Sequence, residues 1–182
     1  MSSSKHKVRD PIDCNASSVR PAVYLAGKIR ESCWRHRLVD GLREHSWGDG
    51  PLYQAGFVYQ GPFFTSCDHV CSHQKSSHGS TSSCSLDLAN EPRTVIDLCL
   101  RAVAKSALIF CFIDSLECHG TLVELGYAVA LQIPIVIVIA DSISKEQSHE
   151  LWFPLGLANR VVYDVSEAQL PALLRRSIRE WT

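Results

Sequence analysis

Charge in excess is what this sequence most plainly lacks: 18 Lys and Arg stand against 19 Asp and Glu, for a formal net charge of -1. With no global field to attract a polyanion, a DNA or RNA polymer is not expected as a partner. Long apolar runs are missing too. The longest, Ile133 to Ala140, contains a proline and falls far short of the roughly 20 residues of a membrane helix, so no membrane partner is expected. The opening residues lack the charged, apolar and small-residue succession of a secretory signal. A cytoplasmic, reducing location is therefore expected, and the eight cysteines are not read as disulfides. No internal repeat of solenoid period is found. A phosphate-binding P-loop and a dinucleotide fingerprint are both absent, because only Gly27 marks the end of the first apolar run and no second glycine follows at the required spacing.

What is there fits one globular domain. The chain has 182 residues, of which 46% are hydrophobic and 20% charged. Residues 1–20 mix Ser, Lys, Asp and Arg with little apolar periodicity, which predicts a disordered tail, because nothing offsets the entropy of ordering it. Residues 21–182 are then a single domain. Ala22 to Ala26 reads as a buried first strand ending at Gly27. Trp34, Leu38, Leu42 and His45 recur at helical spacing, which predicts a helix of about four turns from Ser32, closed by Gly48-Asp49-Gly50-Pro51. Phe57-Val58-Tyr59 predicts a second strand.

Residues 65–87 break the pattern with Ser, Cys, His and Thr, and form either a functional loop or a metal-organised lobe. Asn90-Glu91-Pro92 opens a helix through Val95, Leu98 and Val103. The runs 107–113 and 134–140 each end in an acid, Asp114 and Asp141, and read as strands buried on both faces, joined by a helix over 120–131. Arg160 to Tyr163 gives a last strand, and Leu170, Leu173, Leu174 and Ile178 a closing helix. The alternation predicts an α/β fold with a doubly wound, mostly parallel five-stranded sheet and helices on both faces, of flavodoxin-like or Rossmann-like type.

In such sheets a ligand sits beyond the carboxyl ends of the strands, which directs attention to three junctions. The first is Gly27-Lys28-Ile29-Arg30 with Arg35 close behind, where a glycine admits a ligand to the backbone and cations can pair with a phosphate. Solvated helix-face cations would give the same pattern. The second runs from Asp114 through Gly120, Thr121 and Glu124, where two acids converge on one crevice. A carboxylate there can attack or stabilise a sugar's anomeric carbon while another acid handles protons. Thr121-x-x-Glu124 also matches a capping box, in which the glutamate only reaches back to the backbone. Placed in a first helical turn, Glu124 would be kept ionised by the helix dipole. The third junction is Ala140-Asp141-Ser142. Cys99 and Cys111 read as core thiols, and Trp152, Phe153 and Trp181 as packing or dimer-contact residues.

The opening Tyr24-Leu25-Ala26-Gly27-Lys28-Ile29-Arg30 with Trp34-Arg35, and the segment Gly120-Thr121-Leu122-Val123-Glu124-Leu125-Gly126-Tyr127-Ala128, resemble the nucleoside 2-deoxyribosyltransferase superfamily, which includes nucleoside and nucleotide N-glycosidases. The resemblance spans most of residues 22–165. It implies that Glu124 attacks the sugar C1′ to form a glycosyl-enzyme, that Tyr24 lies near the nucleophile, that Asp114 is the acid after the middle strand, and that Lys28 and Arg30 meet a nucleotide. Another family acid falls near Cys99 in this register, with Asp97 two residues away. The implied partner is a small nucleoside or nucleotide, and the implied assembly a homodimer or higher homo-oligomer. No cofactor is required for catalysis.

A less studied branch with a Cys/His-rich loop is also similar, through Gly61-Pro62-Phe63-Phe64 and Cys67-Asp68-His69-Val70-Cys71-Ser72-His73. Thiolate and imidazole are zinc's preferred ligands, and Cys67, Cys71, His78 and Cys84 would hold a structural zinc. A polar loop without metal, with Asp68 or His69 touching substrate, is the alternative. Two further functions stay open: a non-catalytic nucleotide-sensing domain, and a glycohydrolase acting on a larger nucleotide of the NAD type.

Overall fold

In the computed structural model the alternating apolar runs become a six-stranded sheet with packing against both faces. The structure describes residues 20–29, 33–42, 45, 49–63 and 92–182. Apart from Arg20, the expected tail lies outside the described residues, as does the whole Cys/His insert. The elements are β1 (Ala22–Ala26), β2 (Leu52–Tyr53), β3 (Val58–Gly61), α1 (Pro92–Ala104), β4 (Leu108–Ile113), α2 (His119–Ala130), β5 (Ile135–Ala140), α3 (Lys145–Ser148), α4 (Trp152–Leu157), β6 (Arg160–Val165) and α5 (Leu170–Trp181).

The strand order is β2-β3-β1-β4-β5-β6, so the sheet has six strands where five were expected. The extra one, β2, pairs antiparallel with β3, and all other pairs are parallel. It was not foreseen because two residues, with Tyr53 exposed, carry no alternation to read.

Every residue of β4 and β5 is buried, as central parallel strands flanked on both sides must be. Alternate residues feed two cores. Leu108, Phe110 and Phe112 with Val136 and Val138 pack under Leu170 and Leu174 of α5. Ile109, Cys111 and Ile113 with Ile135, Ile137 and Ile139 pack under Ala102 and Val103 of α1 and Leu125 and Ala128 of α2. Truncating one of the large members, such as Phe110 to Ala, would cost roughly 3–5 kcal/mol.

Where a four-turn helix is expected after β1, the described residues form a 3-10 turn at Trp34–Arg37 and 3-10 geometry again at Leu42. Tertiary demands override the apolar spacing there. Trp34 and Arg35 both turn inward, and Trp34 meets Phe112 edge-on at 5.5 Å between ring centroids. Gly41, at φ 76, then takes the backbone into the left-handed region, which a helix cannot continue through.

Candidate functional site

The chain runs from β1 to β3 on one side and then to β4 on the other, so β1 and β4 flank the sheet's topological switch point. A crevice outside their carboxyl ends is where such a sheet accepts a ligand. Glu124 reaches this place from α2, the helix that follows β4.

Helix α2 starts at His119 with Cys118 as its N-cap, so Glu124 sits in the second turn rather than the first. This removes the capping-box reading. Thr121 is inside the helix and buried, and the Glu124 carboxylate receives the Tyr24 hydroxyl at 2.5 Å, a hydrogen bond across 100 residues of sequence. Glu124 keeps partial solvent access. Burial raises its pKa from the ordinary 4.5 to about 7, although the Tyr24 hydrogen bond and the Arg35 charge both pull it down. The expectation of a carboxylate kept ionised by the helix dipole is thereby corrected: Glu124 lies beyond the first turn, and burial favours its protonated form.

Tyr24 is wholly buried in β1, and its pKa stands well above the ordinary value because of burial first and the Glu124 carboxylate second. Cys99, from α1, also interacts with the Tyr24 hydroxyl. Its thiol is pushed up to about 12, by burial first and then by Glu124, so it stays protonated. Cys99 thus belongs to the surroundings of the carboxylate as well as to the core. Sequence reasoning treated it as a packing thiol, and the only signal that could have placed it was its register with the missing family acid. Asp97 instead pairs with Arg93 at 3.2 Å on the helix surface. Deeper still, Cys111 is fully buried, and its pKa is raised by burial, then by Cys118 and Glu124, with Asp114 adding to the effect.

Gly27 and Arg35 are tied together at the carboxyl end of β1. A Cβ on Gly27 would lie 2.5 Å from the Phe112 carbonyl oxygen, and its φ of 146 is unfavourable to any other residue. The glycine therefore lets β1 leave the sheet against β4. Arg35 is fully buried and donates through Nε to the Leu25 carbonyl at 2.7 Å and through Nη2 to the Gly27 carbonyl at 2.8 Å. Its guanidinium stacks 4.6 Å from the Trp34 ring centroid. Burial alone would lower its pKa, but Cys33 and Tyr59 outweigh that and the net shift is upward. The cation holds the β1 loop and sends its field towards Glu124.

Lys28 stands at the rim, where Nζ meets Glu117 at 3.1 Å and Ser115 Oγ at 3.5 Å. These two partners, on the loop after β4, were not singled out from sequence because isolated polar loop residues carry no pattern. Asp114 closes β4 and is partly buried. Burial and then Asp114 raise the Cys118 thiol, while Lys28 lowers it, so all three lie around the start of α2. Ile29 packs against the core, and Gly120 is exposed in the first turn of α2. At the third junction Asp141 is exposed and its backbone N–H donates to the Val165 carbonyl.

Arg30, Asp68, His69 and the four candidate zinc ligands Cys67, Cys71, His78 and Cys84 lie outside the described residues. Among the described residues no three metal-ligating side chains gather. No helix among them is long and apolar enough to cross a membrane. No family model matches the chain, and no curated protein matches it.

Proposed function

We propose that this chain cleaves or transfers the N-glycosidic bond of a nucleoside or its 5′-monophosphate, with Glu124 as nucleophile. The observation that carries the reading is the 2.5 Å hydrogen bond from Tyr24 to Glu124 at the switch point, since a carboxylate serving as a cap would face its own backbone. With one oxygen held by the phenol, the other is free to form a bond to C1′ as the C1′–N bond breaks. The base departs with the bonding electrons and takes a proton, from Asp114 in its acid form or from water. Water or a second base then attacks C1′ and releases the glutamate. Lys28, which pairs with Glu117, would turn to a 5′-phosphate, and Arg30, Asp68, His69, Gly120 and Thr121 complete the proposed binding set.

The parallel strands, counted without β2, run 2-1-3-4-5, which fits a flavodoxin-like fold with its ligand at the first strand. A homo-oligomer and a structural zinc on Cys67, Cys71, His78 and Cys84 belong to the same proposal. Elemental analysis of untagged protein tests the zinc, and a content well below one equivalent refutes it.

Incubation with a panel of deoxynucleosides, ribonucleosides, their monophosphates and NAD should release free base, read by chromatography. Glu124→Gln should lower the rate by at least about 1,000-fold while the fold persists. A second reading, a nucleotide sensor without turnover, is favoured by the burial that raises the Glu124 pKa and so opposes its use as a nucleophile. It predicts ligands that raise the melting temperature and are recovered intact.

A further inference from the structure

The carboxyl edge of the sheet holds a concavity at β6, two strands beyond β4. A cleft of about 580 Å³ opens between α3, α4 and the end of β6, within the range of small-molecule sites. Its lining joins two aromatic rings, an ammonium, an imidazole and a carboxylate: Trp152 and Tyr163, Lys145, His149 and Asp164, over Leu155.

Each group has recognition capacity left over. Trp152 and Tyr163 are 66% and 47% exposed, in a chain whose Tyr24, Tyr59, Phe110 and Phe112 are wholly buried or nearly so. Trp152 meets Phe153 edge-on at 5.4 Å between ring centroids, and its own faces stay open to solvent. Lys145 and His149 are four residues apart and share one side of a helical turn. Among the described residues neither they nor Asp164 make an ion pair or a side-chain hydrogen bond. At the start of α3 the reciprocal Ser144 and Gln147 cap already takes the Ser144 and Gln147 backbone N–H groups, which leaves the Lys145 and His149 side chains as the groups offered to an anion.

Asp164 adds an independent sign. It sits in the left-handed region at φ 57, next to the register break where Val138 faces Val162 and Ala140 faces Val165. Asp is among the few non-glycine residues that visit this region, and it accommodates the extra residue of β6 at the register break. Irregular pairing of this kind re-aims side chains at strand ends.

We propose that this cleft is a second ligand site, separate from the Glu124 crevice, taking a planar heteroaromatic ring that carries an anionic arm. The ring lies against Trp152 and Tyr163, the anion meets Lys145 and His149, and an N–H on the ring edge donates to Asp164. Aromatic stacking is sequence-tolerant but strong, the cation supplies a charge-assisted bond, and the carboxylate selects rings with a donor edge.

Titration calorimetry with adenosine 5′-monophosphate on the full chain tests this, in a Glu124→Gln background that prevents turnover. Saturable binding is expected, weaker for adenosine, which lacks the anion, and weakest for ribose 5-phosphate, which lacks the ring. Lys145→Ala should weaken the monophosphate by at least about tenfold and leave adenosine nearly unchanged. Trp152→Ala should weaken both. The two side chains are exposed, so circular dichroism should show an unchanged fold. Absence of saturable binding, or an affinity indifferent to both substitutions because the probe sits only at the Glu124 crevice, overturns the proposal.

Discussion

Replacing Glu124 with Gln removes one charge and keeps both the shape and an acceptor for the Tyr24 hydroxyl. Burial holds the Glu124 carboxyl at about 7 against an ordinary 4.5. The folded chain therefore binds this proton more tightly than the unfolded chain, and stability falls as pH rises between the two values. Below 4.5 both states are protonated and the effect vanishes; above about 7 the loss is complete. At roughly 1.4 kcal/mol per pH unit, the span from 4.5 to about 7 amounts to about 3 kcal/mol lost by the native chain. Partial solvent access reduces this, so about 1–3 kcal/mol is the expected range. Glu124→Gln escapes the loss. Urea denaturation near pH 5 and near pH 8.5 should show the variant's stability, relative to the native chain, rising by that amount. A difference between the two proteins that does not depend on pH, or that moves against the variant as pH rises, would refute the burial argument.

The same carboxyl should govern activity, with kcat/KM rising as pH passes through about 7, because only the ionised form can attack; a profile flat from pH 5 to pH 8 contradicts it. Tyr24→Phe removes a hydrogen bond that pulls the Glu124 pKa down, so this rise should move to higher pH and the rate at neutral pH should fall. Gly27→Ala places a methyl 2.5 Å from the Phe112 carbonyl at an unfavourable φ and should cost at least about 2 kcal/mol by denaturant titration. Arg35→Lys loses the fork that serves the Leu25 and Gly27 carbonyls, and a drop of about 2–4 kcal/mol is expected, with no rescue from the retained charge.

Much of the sheet was readable in advance because its central strands are apolar on both faces: β4 and β5 announce themselves as unbroken runs, and α5 through the spacing of Leu170, Leu174 and Ile178. What was not readable depends on distant partners. The Trp34, Leu38, Leu42 spacing favours a helix, but the pull of Trp34 and Arg35 into the β1 loop makes a tight turn instead. Thr121 and Glu124 spell a capping box, yet a helix that begins at His119 shifts their register and turns the carboxylate towards β1. Cys99 reads as a core thiol, and Arg35 as a cation for a phosphate or for solvent, but packing sets one beside Tyr24 and ties the other to the Leu25 and Gly27 carbonyls. Local patterns carry the elements; the charges that matter are placed by contacts between residues far apart in the chain.

The most direct test of the account is to look for the sugar on the glutamate. An electron-withdrawing 2′-fluoro substituent on a nucleoside slows both formation and release of the glycosyl group, and a good leaving base keeps formation the faster, so that intact-mass spectrometry reads the adduct. The expected result is a mass increase equal to one fluorinated sugar, mapped by peptide digestion to Glu124 and lost in Glu124→Gln. An adduct on another residue, or base released by the Glu124→Gln variant at the native rate, would contradict it.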